Sequence, residues 1–228
     1  QGVVAAYLKD VPPGYVLSFD AAITSDVPLG GGLSSSAALE VSVATLLEEI
    51  TGVHVGGVEK ALRCQSSDHK FMGVLCGIMD QFVSSLASEG CALLVDCRSN
   101  AHETVPLDDD GIVFVVADSG MKHSNADGWY TERVKQCEVA VQAVSLGRHP
   151  AVKQLRDASP AWVEEIQSEV NEKVFKRARH VVSEDRRTLC CAMALRRKDY
   201  NVAGGCMSES HASLKQNYEV RDVTLTLT

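Results

Sequence analysis

Positive charge is in short supply in this chain: 22 Lys and Arg stand against 30 Asp and Glu, a net charge of −8 over 228 residues. That balance argues against a nucleic-acid or anionic-membrane partner, because both need a basic face. A long apolar run is also lacking, so no segment reads as a transmembrane helix. No Cys-x-x-Cys pair occurs among the eight cysteines, and no Cys/His spacing suits zinc. Reduced structural thiols in a cytoplasmic protein are the expectation. No signal peptide is legible. The chain opens at Gln1 rather than Met, inside what reads as a helical element. Internal repeats, low-complexity tracts and long linkers are missing as well. With 45% hydrophobic and 23% charged residues, what remains is an ordinary globular composition with enough length for a substantial core.

The most informative stretch is Pro28–Ile50, PLGGGLSSSAALEVSVATLLEEI. Gly30, Gly31 and Gly32 allow a tight turn and close backbone approach to a ligand. Ser34, Ser35 and Ser36 then open a helix whose first N–H groups have no intrahelical partner. Those donors and the positive end of the helix dipole favour a phosphate. Ser hydroxyls add hydrogen bonds or an oxygen ligand for Mg²⁺. A flexible turn with a serine N-cap would look the same in composition. The Gly-Lys-Ser/Thr of a P-loop does not follow.

The periodicity predicts helices at Gly2–Leu8, from Ser34 to Gly52, over Val58–Lys70, over Ile78–Leu86 and, after Asp127, through most of the remaining chain to Tyr218. Strands are predicted at Tyr15–Ser25, Cys91–Asp96 and Ile112–Asp118, with Asp108–Gly111 as a turn. Candidate acids are Asp80, in the apolar setting Gly77-Ile78-Met79-Asp80-Gln81, and Asp68, beside His69 and Lys70. A carboxylate in an apolar setting is paired, hydrogen-bonded or functional. A helix N-terminal carboxylate at Asp80 and a helix-surface one at Asp68 fit the same residues. The basic set Lys173, Lys176, Arg177, Arg179, Arg186 and Arg187, interleaved with Glu172, Glu184 and Asp185, reads as a solvated helix face. His180 and His211 read as structural.

The glycine-serine string resembles the phosphate-binding motif of the GHMP small-molecule kinases, in the version found in galactokinases. CGIMDQFVSSLASEGCALLVDCRS (Cys76–Ser99) is similar to the segment around that family's catalytic aspartate. VVADSGMKHSNADGWYTERVKQCE (Val115–Glu138) is similar to the segment with a sugar-contacting tyrosine. FKRARHVVSEDRRT and SHASLKQNYEV continue the match to Val220. The resemblance implies a two-domain α+β GHMP fold, incomplete at both ends. It divides the chain into residues 1–105, the remainder of an N-terminal ATP-phosphate-binding domain, and 106–228, a partial C-terminal domain.

It also implies ATP-dependent phosphorylation of galactose at C1, in the cytoplasm, by a monomer or weak homodimer. An N-acetylgalactosamine kinase, a non-catalytic sugar and ATP sensor, and an inactive truncated product are the other readings. Carried over residue by residue, Gly30, Gly31, Gly32, Leu33, Ser34, Ser35, Ser36 and Ala37 hold the ATP phosphates. Ser36 and Asp68 hold Mg²⁺. Asp80 is the catalytic base, and Gly77, Asp80 and Tyr130 contact the sugar. The family commonly has Glu where Asp68 stands, and the shorter side chain leaves room for a water before the metal. An ordinary half-buried Tyr fits position 130 equally well, and Lys122 and His123 match a basic pair of the family.

Two family features are absent from this sequence. One is the N-terminal Arg/Glu/His/Asp sugar motif, with an aromatic segment near adenine. The other is a glycine-rich motif after Tyr218-Glu219-Val220, where the chain instead runs Arg221–Thr228. That tail reads as a fragment end, an altered splice product or a misread frame. The expectation is that these 228 residues alone are poorly folded or inactive. Saturable galactose-dependent ATP turnover by them would overturn it.

Overall fold

A computed structural model describes residues 1–73, 75–109, 111–117, 129–146 and 148–219. The chain divides into two compact units, Gln1–Asp127 and Gly128–Thr228, a later division than the one after residue 105 expected from the sequence.

The first unit begins with α1 (Gly2–Leu8), then α2 (Ser35–Thr51), α3 (Gly57–Ser67), a π-helical turn (Asp68–Met72) and α4 (Met79–Leu86). It ends in β1 (Cys91–Asp96) and β2 (Ala101–Pro106). Gly52 ends α2 in the left-handed conformation, its N–H bonding the Glu48 carbonyl, as helix-terminating glycines do. Val3, Tyr7, Val41, Ala44, Leu47 and Cys64 pack α1, α2 and α3 into one core. Inside this core Glu48 is only 4% exposed and is fully partnered. Tyr7 Oη donates to it at 3.0 Å, the Val55 N–H at 3.2 Å, and Lys60 Nζ lies 2.8 Å away. Burial acts to raise the Glu48 carboxyl, but Lys60, Val55 and Tyr7 outweigh it and hold it below the usual range. A second cluster, Ala61, Ile78 and Phe82, seats α4 against α3 and the hairpin residues Leu93 and Val95.

The hairpin β1–β2 is antiparallel, pairing Cys91 with Pro106 through Asp96 with Ala101. Its turn is set by Asp96, whose Oδ1 accepts from the Arg98 N–H at 2.8 Å, and by Asn100 at φ 60°. Sequence periodicity missed β2 because only Val105 on it is buried. The reverse error occurs at Tyr15–Ser25 and Ile112–Asp118. Apart from Asp118, which lies outside the described residues, neither segment is a strand. Val16 (83% exposed), Ile23, Val113 and Val115 face solvent. A strand needs a ladder partner, and the one sheet among the described residues is β1–β2.

The second unit is helical: α5 (Trp129–Ser145), a 3₁₀ turn (Leu155–Asp157), α6 (Pro160–Glu165), α7 (Glu172–Arg196), α8 (Tyr200–Ser213) and a π-helical turn (Leu214–Tyr218). Side-chain caps start three of these helices. Ser159 accepts from Trp162 N–H, Asn171 from Val174 N–H and Asp199 from Val202 N–H. Ala140, Val144, Val152, Val163, Ile166, Phe175, Ala178 and Val182 form its core. Arg177 departs from the solvated face expected for its segment: it is 1% exposed. Its Nε donates to Gln136 Oε1 at 3.1 Å and its Nη2 to Glu219 Oε2 at 2.8 Å. A third bond, from Nη1, reaches the Asn217 carbonyl. Burial follows because carbonyls at a helix C-terminus need a donor. His180 is buried against Ser213, Nδ1 to Oγ 2.9 Å, a structural place as expected. No helix among the described residues is long and apolar enough to cross a membrane.

Candidate functional site

The Gly-rich turn and the start of α2 form an open anion cradle. Left-handed backbone alternates along it, at Gly30 (φ 74°), Gly32 (φ 74°) and Ser34 (φ 57°). The two glycines take that conformation freely. A non-glycine residue such as Ser34 takes it only under constraint, which is common at ligand-binding turns. A Cβ built on Gly32 would meet nothing within 4 Å, so the turn faces open space.

The first backbone bond of α2 runs from the Ala38 N–H to the Ser34 carbonyl, 3.0 Å. The N–H groups of Ser35, Ser36 and Ala37 therefore have no intrahelical acceptor. Ser34 makes no side-chain cap, and the hydroxyls of Ser34, Ser35 and Ser36 bond nothing among the described residues. Leu33 is 44% exposed, whereas Ala37 is 1% exposed and anchors the helix start in the core. Only its backbone N–H is left for a ligand.

One turn along α2 on the face of Ser36 stands Glu40. Sequence reasoning passed over it, though its i, i+4 spacing from Ser36 is the signal that finds it. Its carboxylate lies against Asp68, Ser67 and Gln81. Asp68, at the head of the π-turn, is not a solvated surface group. Its Oδ2 accepts from Gln81 Nε2 at 3.1 Å and from Cys76 Sγ at 3.6 Å. Gln81 itself is 2% exposed. Two buried acceptors in this cluster, Glu40 Oε2 and Gln81 Oε1, have no donor. Burial, reinforced by the Asp68 charge, pushes the Glu40 carboxyl up to about 7, against the opposing pull of Gln81 and Ser67. Burial and Asp68 likewise push the Cys76 thiol up to about 11.

This strained carboxylate pair has a measurable consequence. The folded chain holds the Glu40 proton to about pH 7, whereas the unfolded chain releases it near 4.5. Its contribution to stability is therefore full below the unfolded value and is lost as pH rises through the folded one. Without divalent cations, thermal unfolding from pH 5 to pH 8 should cost the wild type about 1 kcal/mol more than Glu40→Gln, after discounting for partial exposure. Identical pH profiles for the two proteins would contradict this placement.

Asp80 is the second residue of α4, half-buried, and its carboxylate makes no hydrogen bond or ion pair among the described residues. Gly77 precedes it, exposed. α4 packs on both α2 and α3, and Asp80 directly precedes Gln81, the residue that holds Asp68. Tyr130 belongs to the other unit, near the start of α5, and is 50% exposed. Lys122 and His123 lie outside the described residues. Among the described residues, no group of three or more His, Cys, Asp or Glu is arranged to hold a metal.

Residues 2–88 match the GHMP kinases N-terminal domain. Galactokinase of Homo sapiens is 43% identical over 220 residues, 96% of this chain and 54% of that protein. Galactokinase of Roseiflexus sp. (strain RS-1) is 43% identical over 221 residues, 96% of this chain and 55% of that one. The crystal structure of Lactococcus lactis galactokinase complexed with galactose superimposes with a TM-score of 0.81 at 26% identity, over 97% of this chain and 57% of that one. The chain thus spans about half the length of the relatives it matches, and it shares their mixed α and β fold. Over residues 2–88 the chain is similar to the GHMP kinases N-terminal domain, and over 96% of its length it is similar to about half of each of these galactokinases.

Proposed function

We propose that this chain is the central portion of a galactokinase that transfers the γ-phosphoryl group of ATP to the C1 hydroxyl of galactose, giving galactose 1-phosphate and ADP. One observation carries the reading. A helix start with unpaired N–H donors and free serine hydroxyls stands one turn from a carboxylate pair with an orphaned buried oxygen. It does so in a chain 41–43% identical to galactokinases. Residues 1–105 supply the remainder of the ATP-phosphate domain and 106–228 part of the C-terminal domain. A cytoplasmic location goes with eight free cysteines.

Each residue has a task. The N–H groups of Ser35, Ser36 and Ala37, in the turn made by Gly30, Gly31, Gly32 and Leu33, bind phosphate oxygens. The Ser34 and Ser35 hydroxyls add donors. Mg²⁺ fits the acidic cluster, because carboxylate and hydroxyl oxygens are its preferred ligands and a cation relieves the Glu40–Asp68 repulsion. Ser36 and Asp68 would hold it, with the remaining positions left to phosphates and water. Bound there, it supplies positive charge against the phosphate oxygens.

Asp80 accepts the proton of the sugar C1 hydroxyl as that oxygen attacks the γ-phosphorus. The bond to the bridging oxygen breaks and ADP leaves. Gly77 lets the sugar approach the backbone, and the phenol of Tyr130 bonds a ring hydroxyl. Side-by-side turnover of galactose and N-acetylgalactosamine by a full-length protein containing this chain tests the reading. A larger kcat/KM for galactose is expected, and the reverse order would overturn the assignment of galactose as substrate.

A further inference from the structure

Helices α7 and α8 run back on each other around Arg197–Asp199 and pack together. Two polar contacts fix how the helices face each other. His180 Nδ1 meets Ser213 Oγ at 2.9 Å, and Ser210 Oγ donates to Glu184 Oε2 at 2.6 Å. One to two turns nearer the reversal, Cys190 of α7 and Cys206 of α8 line the same groove, with Arg186, Val202, Gly205 and Glu209 around them. Both thiols are partly exposed and neither is in a disulfide. The phosphate cradle and the acidic cluster belong to the other unit, so nothing in the proposed chemistry uses this pair.

We infer that Cys190 and Cys206 form a redox modification site, closing a disulfide across the α7–α8 hairpin by exchange with a low-molecular-weight disulfide such as oxidised glutathione. The two cysteines stand at matching places on either side of the helix reversal and line one groove, the arrangement from which a disulfide, with its Cβ atoms roughly 4 Å apart, can close. Exchange balances without any other oxidant. The Cys190 thiol loses its proton and attacks one sulfur of the small disulfide, forming a mixed disulfide and releasing one small thiol. Cys206 then loses its proton and attacks the Cys190 sulfur, and the second small thiol leaves. The protein pair is oxidised by two electrons and the small disulfide is reduced by two.

The order follows from the surroundings of Cys206. Burial, the neighbouring Cys190 thiol and the charge of Glu209 push its thiol up to about 11. It attacks slowly on strangers and serves as the resolving thiol. In a compartment that keeps thiols reduced the site stays open, and it closes as the disulfide pool rises.

Peptide mapping tests this directly. The folded protein is exposed to oxidised glutathione, alkylated, digested with trypsin and examined by mass spectrometry. The expected product joins Thr188–Arg196 to Asp199–Lys215, with loss of both thiols from the free-thiol count. Cys190→Ser should abolish this product and Cys191→Ser should leave it, which separates the two neighbouring cysteines within one peptide. Oxidation in guanidinium should scatter the pairing over the other cysteines, so selectivity in the native state reports the fold. No crosslink in the native state, a crosslink from Cys191, or glutathione retained on either cysteine without closure would each overturn the inference.

Discussion

In a full-length protein containing this chain, Asp80→Asn is expected to lower galactose-dependent ATP turnover by about a thousandfold, while nucleotide affinity stays within a few-fold of wild type. A positioned general base contributes on the order of 10²–10⁴ in rate. Asn is isosteric with Asp but takes up no proton at neutral pH, so the substitution removes one function at small structural cost. The side chain is half-buried in the first turn of α4 and bonds nothing among the described residues. Its loss therefore leaves no partner stranded. Turnover and nucleotide binding must be measured separately, since a fall in both would point to damaged folding instead. Turnover within tenfold of wild type would remove Asp80 from the role of base.

Arg177→Ala is expected to destabilise the second unit by about 3 kcal/mol, read as a lower midpoint of urea unfolding at constant slope. The guanidinium joins α5, through Gln136, to α7 and to the final turn, through Asn217 and Glu219. It stands 5.8 Å from the ring of Tyr218, and Arg133 covers the same ring from 5.6 Å while donating to the Tyr218 and Glu219 carbonyls. Removing Arg177 takes the donor from the part-buried Asn217 carbonyl and from Gln136 Oε1. Glu219 remains 41% exposed and can be hydrated, which keeps the loss at the low end for a broken buried pair. Arg177→Lys should recover only part of it, because an ammonium cannot reproduce three divergent bonds from one planar group. A loss below about 1 kcal/mol for Arg177→Ala would show that the turn is held by its neighbours instead.

Much of this fold was legible because its helices carry strong local signals. Gly52 at the end of α2 and the helical period of α7 each mark an element by local chemistry that operates before tertiary contact. The strands were less legible for a physical reason. Alternating apolar residues at Tyr15–Ser25 describe a face that could be buried, but whether it is depends on a partner supplied by distant sequence. β2 shows the opposite, pairing fully with β1 while burying one side chain.

The same division holds at the site. The cradle is local, so its string announces it. The grouping of Glu40, Asp68, Cys76 and Gln81 brings α2, the π-turn and α4 together, and no spacing in the chain states that Glu40 and Asp68 meet. Arg177 was misread for the same reason, because the Asn217 carbonyl and the Glu219 carboxylate that it bonds lie about forty residues further on.

The product of the proposed reaction gives the most direct test. Phosphorus NMR of a full-length protein containing this chain, incubated with ATP, Mg²⁺ and galactose, should show the γ-phosphate signal of ATP falling as a sugar 1-phosphate signal grows in equal amount. Loss of ATP to inorganic phosphate alone, or no change while the protein is folded and binds ATP, would contradict it.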